Sequence, residues 1–278
     1  MIISSIVNNI NQPLHSSFEL AKKYLHYYLT ASNSRGHGMH SPFVYDFIRN
    51  VLNNGKNYKA PVSIEHLREE LKKDHEQLEI EDLGAGSRKS SAKTKTINQL
   101  AYTSLKPKKY ARLLYRLAKQ YQPQTIVELG TSLGLTTAYL SDACPGSKII
   151  TIEGSSAITA KARANFKKLG INNIQSLQGD FDNVLPGVLE KESIIDLAYI
   201  DGNHRYEPTM RYFNQFLNKT NDASILVFDD IHWSDEMERA WSEIKDHPSV
   251  QYTIDVFFLG FVFFRKEFKE KQHFKIRF

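Results

Sequence analysis

Ile194 to Ile200 is almost wholly apolar and runs into Asp201-Gly202-Asn203-His204. Ala223 to Phe228 is of the same kind and runs into Asp229-Asp230-Ile231-His232-Trp233. Such runs read as strands buried on both faces, as in a parallel sheet. If the two strands are neighbours, Asp201, Asp229 and Asp230 meet at one sheet edge. Three carboxylates in one cleft repel, and at least one is driven toward protonation unless a cation sits among them. An all-oxygen set suits a hard ion, Mg²⁺ first, with Ca²⁺ or Mn²⁺ as alternatives. The competing reading is that Asp201 and Asp229 cap the helices that follow. It accounts for one acid at each strand end but not for the doubled Asp229-Asp230.

The second half of the chemistry lies upstream. Thr125-Ile126-Val127-Glu128-Leu129 is followed by Gly130-Thr131-Ser132-Leu133-Gly134 and then by the helical-looking Leu135 to Leu140. Strand, glycine turn and helix is the device that places a nucleotide-sized ligand at the carboxyl ends of a parallel sheet. The glycines let the backbone approach a ligand, and the helix start offers unpaired N–H donors. The spacing Gly130-x-x-x-Gly134 departs from the dinucleotide pattern G-x-G-x-x-G, and a pyrophosphate would gain nothing from Glu128. A ligand with a cationic amino acid and no phosphate fits better. Lys148 to Ile152 reads as the next strand and ends in Glu153-Gly154. Glu153 lies about 20 residues beyond Gly130, the offset at which an acid meets ribose hydroxyls in nucleotide folds. A helix from Ala157 to Leu169, stopped by Gly170, follows. The strand Ile174 to Leu177 then leads to Gly179-Asp180-Phe181.

From about Lys108 to Arg265 the chain resembles the class I S-adenosylmethionine (SAM) methyltransferases. Among them it is most similar to the metal-dependent O-methyltransferases of the catechol and caffeoyl-CoA type and to the related sugar O-methyltransferases. The resemblance implies SAM as cofactor, its methionine part held by Glu128, Gly130, Thr131, Ser132 and Gly134. It implies Glu153 and Gly154 at the ribose, with Asp180 and Phe181 bonding and stacking the adenine. Asp201 would border the cofactor, take part in catalysis and bind a metal with Asp229 and Asp230. Three residues after the first metal-binding Asp those enzymes carry a lysine proposed as general base. This chain has His204, whose imidazole titrates near neutrality. The expected reaction is methylation of a small-molecule hydroxyl, in a pocket walled by Trp233 and Tyr206.

The implied fold is α/β: a Rossmann-like, seven-stranded, mostly parallel sheet with a C-terminal antiparallel hairpin, plus an N-terminal helical extension. The hairpin reads as Gln251–Phe258 and Phe261–Arg265 about a Leu259-Gly260 turn, preceded by a helix from Asp235 to Asp246. Residues 1–105 are the extension and a loop over the substrate site; 106–278 are the methyltransferase domain. Phe18–Leu29 and Val44–Leu52 have helical spacing, and between them lies a loop carrying His37 and His40. This front end resembles that of a group of bacterial methyltransferase homologues sharing a His-Ser-Pro-Phe element, here His40-Ser41-Pro42-Phe43. Ile80 to Ser87 imitates the glycine turn, but a basic Ser/Thr/Lys-rich stretch follows it, and Ser87 to Lys95 reads as a mobile loop that could serve as a lid. Tyr110–Tyr121 reads as a helix with Leu113, Leu114 and Leu117 on its sheet-facing side.

A chain of 278 residues, 41% hydrophobic and 24% charged, can bury one large core and has an ordinary globular composition. No apolar run approaches the ~18 residues of a membrane span, and no secretory signal is evident. The single Cys144 fits a reducing cytoplasm. A net charge of +5 and a pI of about 9.0 give nucleic acid a hearing. Basic residues cluster at Arg88–Lys95, at Lys106–Lys109 and in a tail where Phe268-Lys269, His273-Phe274-Lys275 and Arg277-Phe278 alternate. Without a helix-turn-helix, zinc ribbon or RNA-binding module, a solvated surface with a docked tail is the preferred reading. An RNA or protein methyltransferase and a non-catalytic SAM-binding module are the alternatives. A homodimer is the default for a soluble enzyme.

Overall fold

The computed structural model describes residues 15–32, 41–56, 58, 61–80, 93–267 and 270–278. Along the chain these form α1 (Ser17–Thr30), α2 (Pro42–Phe47) continued by a π-helical stretch, α3 (Val62–Leu71), the strands β1 (Gln77–Ile80) and β2 (Lys93–Thr96), α4 (Ile97–Thr103) and α5 (Lys108–Tyr121). Then strands and helices alternate: β3 (Thr125–Leu129), α6 (Leu135–Ala143), β4 (Lys148–Glu153), α7 (Ser156–Lys168), β5 (Ile174–Gln178), α8 (Phe181–Lys191), β6 (Leu197–Ile200), α9 (Tyr206–Leu217), β7 (Ile225–Asp229) and α10 (Asp235–Asp246). Three strands close the chain: β8 (Tyr252–Asp255), β9 (Leu259–Phe263) and β10 (Gln272–Lys275).

The main sheet has the order β10-β8-β9-β7-β6-β3-β4-β5, with β9 antiparallel to both β7 and β8 and the other pairs parallel. The α/β reading holds, with one strand more than the expected seven. The extra strand is β10, made by the basic tail, which pairs with β8 and buries Ile276. The tail is thus docked, as the preferred reading had it; Phe268 and Lys269 lie outside the described residues. The hairpin turn also falls earlier than expected, at Val256-Phe257-Phe258, where Phe257 takes a φ of 71°. Gly260 is a strand residue instead, and a Cβ there would lie 2.6 Å from the Trp241 ring.

Strand periodicity explains the two cores. Ile126, Leu197, Tyr199, Ile225 and Val227 face one side of the sheet, against α5 and α6. Val127, Leu129, Ala198, Ile200, Leu226 and Phe228 face the other, against α8, α9 and α10. Successive strand residues point to opposite faces, so a strand buried on both must be apolar throughout. Each buried Val, Leu, Ile or Phe side chain among them contributes roughly 1.5–3 kcal/mol. Leu113, Leu114 and Leu117 of α5 are fully buried, as their spacing predicts.

The N-terminal region is part of this packing. Val44, Phe47, Ile48 and Val51 join the same core as Phe261 and Phe263 of β9. Tyr27 of α1 donates its hydroxyl hydrogen toward the carbonyls of Asp255, at 2.9 Å, and Ile276, at 2.5 Å. His37, His40 and residues 81–92, which carry most of the imitation glycine turn, lie outside the described residues. Of the expected loop from Ser87 to Lys95, the last residues are strand instead: Lys93–Thr96 pairs antiparallel with Gln77–Ile80.

Candidate active site

The sheet order reverses at β3, which lies between β6 and β4. At such a switch point the helices leave on opposite faces and a crevice opens beyond the strand ends. Here it is a cavity of about 600 Å³, within the range of small-molecule sites. One side is formed by Gly130, Ser132 and Glu153, from the ends of β3 and β4. The other is formed by Asp201, His204, Asp229, Asp230 and Trp233, from the ends of β6 and β7. Lys106, Tyr110 and Phe258 close it, with the segment from Tyr102 to Pro107.

The glycine turn is built by close approach. Gly130 has a φ of 97°, and a Cβ there would lie 2.0 Å from the carbonyl oxygen of Asp201. Only glycine lets β3 and β6 end side by side here. Ser132 also has a positive φ, 48°, held by its N–H donating to Glu153 Oε2 at 2.9 Å. The other oxygen of Glu153 accepts from Ser155 N–H at 3.1 Å. Glu153 therefore stands at the cavity wall in a fixed orientation; burial raises its pKa, although three backbone N–H donors oppose the rise.

Glu128, Asp180, Phe181 and Tyr206 are not among the residues that line this cavity. Glu128 lies beneath the turn, fully buried, accepting from Thr137 and from Thr151 at 2.7 Å. Its second oxygen is buried without a hydrogen bond among the described residues. Burial pushes its pKa up to about 8 against the two threonine hydroxyls. Thr131 joins this network through Thr151, at 2.6 Å. Asp180 caps α8, accepting from Asp182 N–H at 2.8 Å. Phe181 packs edge-on to Tyr212, 6.0 Å between ring centres, and against Gly202. Tyr206 reaches Glu243 and lies under the Arg239 guanidinium, 3.5 Å from the ring centre, away from the cavity that Trp233 lines.

The acids of β6 and β7 do come together. Neither is a helix cap: α9 is preceded by Arg205, and α10 is capped by Ser234, whose hydroxyl accepts from Met237 N–H at 3.2 Å. Ligand atoms of Asp201, His204 and Asp229 lie within 4.8 Å of one another. Asp230, with a φ of 51°, lines the cavity beside them but is not in that close group. Asp201 accepts from the buried Tyr199 hydroxyl at 2.8 Å, and its other oxygen is 3.5 Å from His204 Nε2. Asp229 is 1% exposed, and its Oδ1 has no hydrogen-bond partner among the described residues.

In their midst is a residue that the sequence placed only in a basic surface run. Lys106 Nζ donates to Asp229 Oδ2 and lies 3.7 Å from Asp201 Oδ2. Its side chain is 11% exposed. Burial disfavours its charge, but Asp229, Asp201 and Asp230 outweigh burial and hold the ammonium above its ordinary range. Burial likewise works to raise Asp201, yet Lys106 and His204 keep it below the usual carboxylate range. Asp229 is pushed well above that range by burial and by the charge of Asp201. Two buried carboxylates beside one ammonium thus ionise in separated steps. His204 is raised: burial opposes its charge, and Asp201 prevails.

The acids and His204 form a donor set that a hard cation could use, and the orphaned Asp229 Oδ1 points the same way. The ammonium stands against it. A divalent ion on Asp229 and Asp201 would have to displace Lys106, so the residues present do not fit a resident ion with the lysine in this place. No local signal marks Lys106. It precedes Pro107 at the start of α5, 123 residues from Asp229 in sequence.

Residues 127–231 match the profile of a family described as a methyltransferase domain. A catechol O-methyltransferase of Niastella koreensis is 28% identical over 123 residues, 43% of this chain and 55% of that enzyme. The chain thus matches little more than half of that relative's length. Among solved structures, an S-adenosylhomocysteine-bound methyltransferase of Podospora anserina superposes with a TM-score of 0.58 at 13% identity, over 92% of this chain and all of that one. An O-methyltransferase of Bacillus cereus in complex with S-adenosylhomocysteine gives 0.51 at 19% identity, over 58% of this chain and 83% of that one. The glycine turn and the acids of β6 and β7 lie within the residues that match a methyltransferase domain, and the fold is shared with these solved structures.

Proposed function

We propose that the protein transfers a methyl group from SAM to the hydroxyl of a small molecule bound in the switch-point cavity. The observation that carries this reading is the two-sided lining. Gly130, Ser132 and Glu153 offer a nucleoside-sized shelf, and Asp201, His204, Asp229, Asp230 and Trp233 face it across the same space. SAM, when bound, supplies a methyl on a sulfonium, whose S–CH₃ bond breaks as the acceptor oxygen bonds the carbon, leaving neutral S-adenosylhomocysteine. The chain's own part is to orient and to take the proton. Holding the two reactants in line can lower the barrier by ~7–11 kcal/mol. His204, held beside Asp201 at 3.5 Å, accepts the hydroxyl proton through its imidazole, a step typically worth ~10²–10⁴-fold.

Mg²⁺ on Asp201, Asp229 and Asp230, which the resemblance implies, belongs to this reading only if Lys106 yields its place, and no step above depends on it. Catechol-like and sugar hydroxyls are the acceptors to screen, and a cytoplasmic location is proposed on the strength of the lone cysteine. Among the described residues no helix is long and apolar enough to cross a membrane.

Calorimetric titration with S-adenosylhomocysteine tests the cofactor reading. Micromolar binding that Glu153→Ala abolishes is expected. Absence of binding in the wild-type chain would overturn it.

A further inference from the structure

We propose that Lys106 is the built-in cation of this site: its ammonium does for Asp201 and Asp229 what a divalent ion would otherwise do, so the enzyme works without a metal. The inference rests on the methyltransferase reading above and concerns how its acidic side is neutralised.

Three observations carry it. First, Lys106 is placed by the fold and does not reach the acids as a flexible surface chain would. Its carbonyl accepts from the guanidinium of Arg68 at 2.9 Å, and Arg68 is itself 3% exposed. The next residue, Pro107, has its φ fixed by the ring and leads directly into α5. The lysine's backbone is therefore held on both sides. Second, the ammonium meets both carboxylates that a metal would need. Third, Asp201 has few lone pairs to spare. One oxygen serves Tyr199 and faces Lys106, and the other faces His204.

Uncompensated, Asp201 and Asp229 would repel in a buried place, where charge is costly. A lysine supplies one positive charge and three donors, with no coordination geometry to satisfy. It leaves one buried oxygen of Asp229, a residue of the cavity lining, unpartnered among the described residues. Lys106 is a positioning residue in this account. It sets the charge and orientation of Asp201 and Asp229, and through Asp201 those of His204.

The test is Mn²⁺ binding, followed by electron paramagnetic resonance on the full chain with S-adenosylhomocysteine present. Wild-type protein is expected to leave equimolar Mn²⁺ free. Lys106→Met, which keeps the apolar stem and removes the charge, should take up one Mn²⁺ per chain, at least ~10²-fold more tightly than wild type, as removal of a neighbouring unit charge requires. Adding Asp229→Asn should abolish that uptake. Lys106→Gln serves the same purpose if the methionine variant does not fold.

Uptake of one Mn²⁺ by the wild-type chain, lost in Asp229→Asn, overturns the proposal. So does a folded, charge-free variant at position 106 that takes up none. Calorimetry with S-adenosylhomocysteine on the same samples separates the two readings. Failure of nucleoside binding counts against the methyltransferase assignment, whereas the Mn²⁺ result speaks only to Lys106.

Discussion

Two histidine–carboxylate clusters lie close together in the chain, and they are finished differently. Around His232, Nδ1 is 3.1 Å from Glu238 and Nε2 is 2.9 Å from Asp255. Asp255 also accepts from Phe257 N–H at 2.8 Å, and Glu238 from Lys23 of α1 at 2.8 Å. Tyr27 and Phe257 pack on the imidazole. This cluster borders a cavity of its own, but its carboxylates are spoken for, and what they join is α1 to the C-terminal hairpin. Around His204, Asp229 keeps a buried oxygen without a partner among the described residues, and His204 faces Asp201 at 3.5 Å, too far for a strong bond. The first network is complete, whereas the second leaves buried polar capacity over, which is where the proposed function places a ligand.

The sharpest way to break this comparison is to exchange the deletions. His204→Ala should lower kcat by about 10²–10⁴-fold with little change in thermal midpoint. His232→Ala should leave kcat near wild type and cost about 3 kcal/mol of stability, because Asp255 is left buried and uncompensated. Steady-state kinetics and urea unfolding on both variants decide it; two variants that move the same quantity would erase the distinction.

Glu128 extends the contrast to a buried acid with an orphan oxygen and no ammonium beside it. Its folded-state pKa is pushed up to about 8 from an ordinary 4.5. The folded state therefore holds the proton more tightly than the unfolded chain does. Its contribution to stability is full below about 4.5 and is lost as pH rises through about 8. Glu128→Gln should remove that slope, an effect on the order of 5 kcal/mol across the window. Equal pH dependence of unfolding in both proteins would show that Glu128 is already ionised when folded.

The smallest effect belongs to the clasp's outer member. Lys23 and Glu238 are both about one-third exposed, and Lys23→Ala should cost no more than about 1 kcal/mol. A loss of 3 kcal/mol or more in chemical denaturation would make α1 a larger part of the fold than its exposed surface suggests.

Legibility in the sequence followed the range of the interactions. Strands β3, β4, β6 and β7 were readable because strands buried on both faces leave an apolar run. Helix α10 was readable to the residue because an acid-rich first turn marks its start. The acids at the strand ends were readable as one site, since parallel neighbours bring their carboxyl ends together. The hairpin turn was misplaced because Gly260 is the residue a turn would choose, whereas here it is demanded by the Trp241 ring. β10 was missed as a strand because its burial alternates and its sequence is basic.

The sequence by itself determined an α/β sheet with a glycine turn after its first long strand and acids at the ends of three others. Those features are written in local periodicity and in residue types that only certain backbone positions tolerate. Tertiary structure alone decided which acids face the cavity, that Glu128 sits beneath the turn and Phe181 against Tyr212, and that a lysine rests among the carboxylates. An ion pair between residues 106 and 229 has no local signature. It exists because the start of α5 is carried across the sheet to the ends of β6 and β7, and buried charge of one sign must find the other.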